Sequence, residues 1–397
     1  MIIVGGSYNE FCDWPEWNRI LGPGGRAALA VSSVSPGSVL HTCAPADWAA
    51  DINASMAAAG IEAHIRTTAE KIAFVYKHPL TKPPAMEPVS PSATMLGPLD
   101  VEGDTVLAFG LIEGEVRVSA DRAVFELSSN LDKSITRKNV KSLALICTKN
   151  DLPDVFTPGA DVRDPVTNIL SANNADLMVV RGELGGAALF MGDTRHDVPA
   201  YISDKWFKIG AGNVFCAMFA HYWGEKKLQP DVAADLASRS AAFYAGALVL
   251  PMVGPDELPT MDSFDPAAVG KVFIASPCLS MAQQWLLDQA ISGLENLGAG
   301  VVSPYDLGVD WSTKNDIDIA AVLDGCNAVL VLADGADLPS VFAVGLAQVR
   351  RLPIVVLAES SIARKLDLWE GTDCEVANDF ASAVYRTAVA SARKPAA

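Results

Sequence analysis

The run Lys208-Ile209-Gly210-Ala211-Gly212-Asn213-Val214-Phe215 carries the strongest chemical signal in the chain. A Gly-Ala-Gly turn leading into an apolar helix (Val214, Phe215, Ala217, Met218, Phe219) leaves backbone N–H groups open at a helix N-terminus, a good place to hold a phosphate. Position 213 is then where a group that takes the proton from an attacking hydroxyl belongs. An aspartate can do that. Asn213 has nearly the same shape but offers an amide, which is no general base at neutral pH. The cradle for the anion is present and its base is not.

Other residues add to this turn. Val180-Arg181-Gly182-Glu183-Leu184-Gly185-Gly186 follows an apolar strand, and glycines there let the backbone approach a ligand closely. Near the start, Gly22-Pro23-Gly24-Gly25 precedes an Ala-rich helix, with Asn9 and Glu10 just upstream as polar candidates. In this order the elements resemble the ribokinase/pfkB family of sugar and nucleoside kinases, over roughly 1–250. The resemblance implies an acceptor against Gly24, Gly25 and Asn9 or Glu10, and a nucleotide by Gly182 and Gly185. It implies an anion hole of Gly210, Ala211 and Gly212, and ATP and Mg2+ as cofactors. Three positions depart from that pattern: Asn213 in place of the catalytic aspartate, Leu29 where an asparagine is usual, and Thr148-Lys149-Asn150-Asp151 where an N-x-x-E element belongs. Positioning and charge stabilisation supply most of phosphoryl-transfer catalysis, so the three losses together count against it.

The elements that must position these residues come from periodicity. Short β-rich runs alternate with helical patterns (Ile2–Gly5, then 25–31; Val106–Phe109; Leu143–Cys147; Leu177–Val180, then 212–221), which predicts an α/β fold with a parallel sheet and helices on both sides. Ile72–Tyr76 and Glu115–Val118 read as half-exposed strands around a Pro-rich loop, a small antiparallel lid sheet. The Pro-rich, acidic run from 251 to 266 has lost periodicity. The expected division is therefore 1–254, a linker over 255–269, and a second Rossmann-like, doubly wound α/β domain over 270–390.

That second part has a strand, Lys271–Ala275, ending in Ser276-Pro277; a strand Ala328–Leu332, opened by Asn327 and followed by Asp334; and a helix from Ser340 to Val349. Over roughly 271–358 it resembles the nucleoside 2-deoxyribosyltransferase family, which cleaves base–sugar bonds through a sugar–carboxylate intermediate. The resemblance puts Ala343, a methyl group, at the nucleophilic glutamate and Asn327 at an aspartate; neither can replace a carboxylate nucleophile. It implies a ligand site at Ser276, Pro277, Asn327 and Asp334, with Asp318 and Asp337 nearby in sequence.

Composition bounds the partners. A chain of 397 residues with 50% hydrophobic content and a net charge of −17 builds large cores and offers no clustered basic surface for nucleic acid or an anionic membrane. The seven cysteines are scattered, with no C-x-x-C pair, as in a reduced cytoplasmic protein, and no metal pattern is evident. The partner is expected to be a small-molecule nucleoside, nucleotide or sugar; a homo-oligomer is left open. The expected function is a nucleoside- or nucleotide-binding sensor or regulator with degenerate kinase and deoxyribosyltransferase sites. The alternative is a divergent, active ATP-dependent sugar or nucleoside kinase, in which a water or another acid, Glu10 or Asp151, substitutes for the missing base.

Overall fold

The computed structural model describes residues 1–89, 96–127, 134–157, 162–277, 280–303, 319–335, 338–359 and 372–392. The chain divides into two compact units, Met1–Ser203 with Phe207–Ser263, and Asp204–Trp206 with Phe264–Ala397.

The first unit is built on a nine-stranded sheet. From one edge to the other it runs β13 (Thr194–Val198), β12 (Ala187–Met191), β11 (Leu177–Arg181), β10 (Ile135–Thr148), β9 (Gly114–Glu126), β8 (Leu96–Phe109), β1 (Ile2–Val4), β4 (Val39–Pro45) and β5 (Glu62–Thr68). All pairings are parallel except β11–β12 and β12–β13. The helices of this unit are α1 (Gly22–Val31), α2 (Ala46–Ala58), α3 (Arg163–Asn173), α4 (Ala211–Phe219) and α5 (Pro230–Ala247). The lid is a separate four-stranded sheet in the order β3 (Trp17–Ile20), β2 (Asn9–Cys12), β6 (Ala73–Tyr76), β7 (Ala85–Glu87). It is mixed, because β2 and β6 run parallel.

The expected parallel α/β sheet and small second sheet are therefore present, but two parts of the reading need correction: the small sheet is mixed where it was expected to be antiparallel, and one of its expected strands lies elsewhere. Glu115–Val118 belongs to β9 of the large sheet and not to the lid. The register there is unusual. Leu96 pairs with Gly114 and Phe109 with Glu126, both in parallel, although only residues 110–113 connect the two strands. A straight strand of that length would span about 45 Å, and the connection reaches less than about 20 Å. Each strand must therefore fold back on itself midway. The ladders skip Asp104, Asp121 and Lys141, which mark the bends, and Lys141 Nζ lies 2.5 Å from Asp121 Oδ1.

The result is a set of stacked β-arches where crossover helices were expected. Val101, Val116, Val118 and Val140 on the first arms share one core with Val106, Ala108, Ala123, Phe125, Leu143 and Leu145 on the second arms. Alternate residues of the first arms, such as Glu115 and Arg117, face outward and pair with each other. Apolar alternation thus serves the same end as a helix stripe, covering one side of the parallel sheet.

The second unit has a five-stranded parallel sheet in the order Gly300–Val302, Lys271–Ala275, Ala328–Leu332, Ile354–Leu357, Glu375–Ala377. Helices Met281–Asn296, Ile319–Asp324, Leu338–Val349 and Phe380–Ala392 accompany it. The last strand and last helix are not foreseen from periodicity; Phe380–Ala392 is buried on most sides, so its apolar residues show no single stripe.

The arches give a direct test. Val118→Asp, which buries a charge in the arch core, is expected to cost more than about 3 kcal/mol, whereas Arg117→Ala on the outer face is expected to leave stability nearly unchanged. Urea denaturation followed by tryptophan fluorescence measures both. A half-exposed lid strand would tolerate the two changes alike.

Candidate functional site

One buried cation organises the first site. Arg26 lies on α1 with none of its surface exposed. Its Nη1 donates to Glu10 Oε1 at 2.7 Å and to Asn213 Oδ1 at 3.2 Å, its Nη2 pairs with Glu10 Oε2, and its Nε donates to the Tyr244 hydroxyl at 3.0 Å. Four elements, β2, α1, α4 and α5, meet at this guanidinium. Burial alone would pull its pKa down, but Glu10 and Tyr244 outweigh that and hold it above its ordinary value. The structure thus brings Glu10 and Asn213 together through a residue that the sequence reading did not single out.

The Gly-Ala-Gly turn is shaped by two arginines. Gly210 has φ +82 and caps α4, and a Cβ there would collide with the Arg26 guanidinium. A Cβ on Gly212 would collide with Arg181 Nη1. The backbone N–H groups of Gly212 and Asn213 have no backbone acceptor among the described residues, as an anion site requires.

Around this turn stands a group of cations. Lys82, from the segment between β6 and β7, and Lys208, two residues before Gly210, both pair with Oε2 of the buried Glu183. Arg181 Nη2 lies 3.1 Å from Glu126 Oε1. Lys149 is close enough to Lys82 and Lys208 to repel both electrostatically. Burial first, and then the neighbouring Lys82, push the Lys208 ammonium well below its ordinary pKa. Three of the four cations were visible in the sequence beside or within a motif (Lys208 before Gly-Ala-Gly, Arg181 before Gly182, Lys149 in Thr148–Asp151), whereas Lys82 was not, and their convergence needs the fold.

The remaining predicted residues have more local settings. Gly24 packs on Gly5, whose carbonyl oxygen occupies the place of a Cβ at Gly24; Gly25 has ordinary space beside Ser7. Asn9 Oδ1 is buried without a hydrogen-bond partner among the described residues. Gly182 and Gly185 face each other across the tight turn between β11 and β12, where a Cβ on Gly182 would lie 2.8 Å from the Gly185 oxygen. Asp151 Oδ2 accepts from Thr148 N (2.9 Å) and Thr148 Oγ1 (2.8 Å), closing its own turn. Burial pushes the Cys216 thiol up to about 12, as expected of an inert core cysteine.

In the second unit, Ser276 and Pro277 leave one strand and Asp334 the adjacent parallel strand, so the three share the carboxyl edge of the sheet. Asp334 Oδ2 accepts from Glu359 N at 3.0 Å. Asn327 precedes its strand and lies at the opposite edge, about 17 Å away by strand length. There its Oδ1 accepts from Lys271 N at 2.8 Å, and the structure does not bring it to the other three. Ala343 is buried in the core beside Val329 and Val331. Asp318 and Asp337 lie outside the described residues.

No family model matches the chain, and no curated protein matches it in sequence. Similar solved structures include aminoimidazole riboside kinase from Salmonella enterica, complexed with aminoimidazole riboside and an ATP analogue (14% identity, 62% of this chain, 94% of that one, TM-score 0.47). Others are ribokinase from Giardia lamblia (13%, 62%, 93%, TM-score 0.45) and a sulfate complex of a pyrophosphate-dependent kinase in the ribokinase family (13%, 62%, 95%, TM-score 0.45). At these scores no residue's role follows from the likeness. No helix among the described residues is long and apolar enough to cross a membrane.

Arg26→Met leaves Glu10 buried without its cation and is expected to cost about 3–5 kcal/mol, part of which Glu10→Gln recovers in the same chain. A double-mutant cycle by urea denaturation measures the coupling; additive losses would show that the pair does not hold the site together.

Proposed function

We propose that the first unit is a ribokinase-like binding protein for a nucleoside, nucleotide or sugar ligand, with little or no phosphoryl transfer. The second unit is proposed as a nucleoside deoxyribosyltransferase-like module without its nucleophile, and the whole as a sensor or regulator. One observation carries this reading: at position 213 an amide oxygen accepts a hydrogen bond from a cation that already holds Glu10.

Deprotonating an acceptor hydroxyl needs a free base within hydrogen-bond reach. Both oxygens of Glu10 are taken by Arg26, and Asp151 Oδ2 accepts two hydrogen bonds from Thr148. Glu10 is therefore not available as a substitute base, which favours binding over turnover. The polar groups that would meet a ligand are the N–H groups of Gly212 and Asn213, and Asn9 Oδ1 near the lid.

Phosphate groups of ATP fit this turn, since Gly212, Asn213 and the cations beside them offer donors. Mg2+ does not fit the side chains described around it. The cation prefers free carboxylate and carbonyl oxygens, and here Glu126 and Glu183 are both held by Arg or Lys. No cluster of acidic, His or Cys side chains suited to a metal is found among the described residues.

Thermal denaturation of the full chain with a panel of nucleosides, nucleotides and sugars is expected to show a Tm rise of several degrees for one class, with no product formed. No shift with any of them would overturn the reading. Asn213→Asp is expected to raise any residual ATP turnover less than tenfold, because the new carboxylate faces Arg26 and is paired by it. A gain of a hundredfold or more would instead favour the active-kinase reading.

A further inference from the structure

The helix Leu338–Val349 of the second unit is apolar on both of its sides. Ala343, Val344 and Ala347 pack into the core beneath it. Leu338, Val341, Phe342 and Val349 point away and are 85%, 37%, 60% and 82% exposed. No charged residue occurs anywhere in the helix. Helix α4 is just as free of charge, and there every apolar side chain is buried. A helix that is apolar all round belongs inside a structure, and an exposed apolar face of this kind meets another molecule.

The spacing of the outer residues identifies that molecule. Leu338, Phe342, Gly345 and Val349 follow one another at the alternating four- and three-residue intervals of a heptad seam. Gly345 lies exposed in the middle of the seam, with nothing within 4 Å of the place a Cβ would take. Glycine weakens a helix interior, so its presence here calls for something that uses the space. Phe342, one turn earlier, is a knob of the right kind. A second copy lying antiparallel, about a two-fold axis between positions 343 and 344, sets Phe342 of each copy over Gly345 of the other and Leu338 against Val349. All four outer positions are then matched at once. A parallel copy would set glycine on glycine and phenylalanine on phenylalanine, a void beside a clash. The antiparallel arrangement also opposes the two helix dipoles favourably. It brings the acidic approach to one helix, with Asp334, towards the basic exit of the other, with Arg350 and Arg351. We propose that this helix is the seam of a two-fold symmetric homodimer in which Phe342 of each copy seats on Gly345 of the other. A single helix pair is at the small end of specific interfaces, so the dimer is weak, with a dissociation constant on the order of micromolar. It does not depend on what the first unit binds.

The test is sedimentation velocity of the full chain from about 1 to about 200 μM, where the chain is expected to pass from monomer to dimer. Phe342→Glu, at an exposed position, should leave Tm unchanged and weaken association about a hundredfold or more. Gly345→Leu makes the face more apolar and the helix intrinsically better, yet it fills the gap and should weaken association about tenfold. Phe342→Ala added to Gly345→Leu exchanges knob and gap and should recover most of that loss. Under mild oxidation, the double variant Leu338→Cys with Val349→Cys is expected to form a disulfide between copies, and Leu338→Cys alone is not. A monomer at every concentration overturns the proposal and assigns the face to a different partner. A dimer indifferent to Phe342→Glu uses another surface, one strengthened by Gly345→Leu is mere apolar adhesion, and cross-linking of Leu338→Cys alone shows a parallel seam; each of these overturns it too.

Discussion

A guanidinium with no exposed surface can exist in a folded protein only if its charge and its donors are met inside. Arg26 is such a group, and meeting it fixes much of the first unit. Glu10 on β2 supplies the charge, Tyr244 on α5 and Asn213 on α4 supply further acceptors, and α1 supplies the arginine. The glycine at 210 follows from the same group, because any side chain there would occupy the guanidinium's place. What reads in the sequence as an anion motif is therefore also a packing requirement.

Much of the architecture was legible because apolar periodicity reports burial directly. After Lys271, the strands Lys271–Ala275, Ala328–Leu332 and Ile354–Leu357 are continuous apolar runs, as fully covered parallel strands must be, and they appear where the runs predict them. The arches were not legible. Val116, Arg117 and Val118 alternate as any half-buried strand does, and alternation says that one face is covered without saying by what. The lid and the arch core are equivalent answers to that pattern, and only register decides between them.

The candidate site divides in the same way. Backbone-determined features, the Gly-Ala-Gly turn and the glycines at 182 and 185, are local and could be read from composition. Side-chain convergence could not. Arg26 and Tyr244 are separated by more than two hundred positions, and Lys82 reaches the turn from the lid segment. Asn327 shows the opposite limit. It stands next to the strand that leads to Asp334 in sequence, yet a strand has two ends, and Asn327 is at the other one.

The amide at 213 is also what charge balance around Arg26 calls for. Arg26 and Glu10 already form a neutral buried pair, with both carboxylate oxygens on the guanidinium. A carboxylate at 213 would face Glu10 across one shared cation, and two acids so placed cannot both remain ionised without cost. An amide accepts the same hydrogen bond and adds no charge. Glu10 and an aspartate at 213 are therefore competing ways to satisfy one arginine. A chain that keeps the Arg26–Glu10 pair gains a neutral junction behind the Gly-Ala-Gly turn, with an amide rather than a second acid at 213. Behind the turn, then, one arginine is met by one acid and two neutral acceptors, and its charge calls for no second carboxylate.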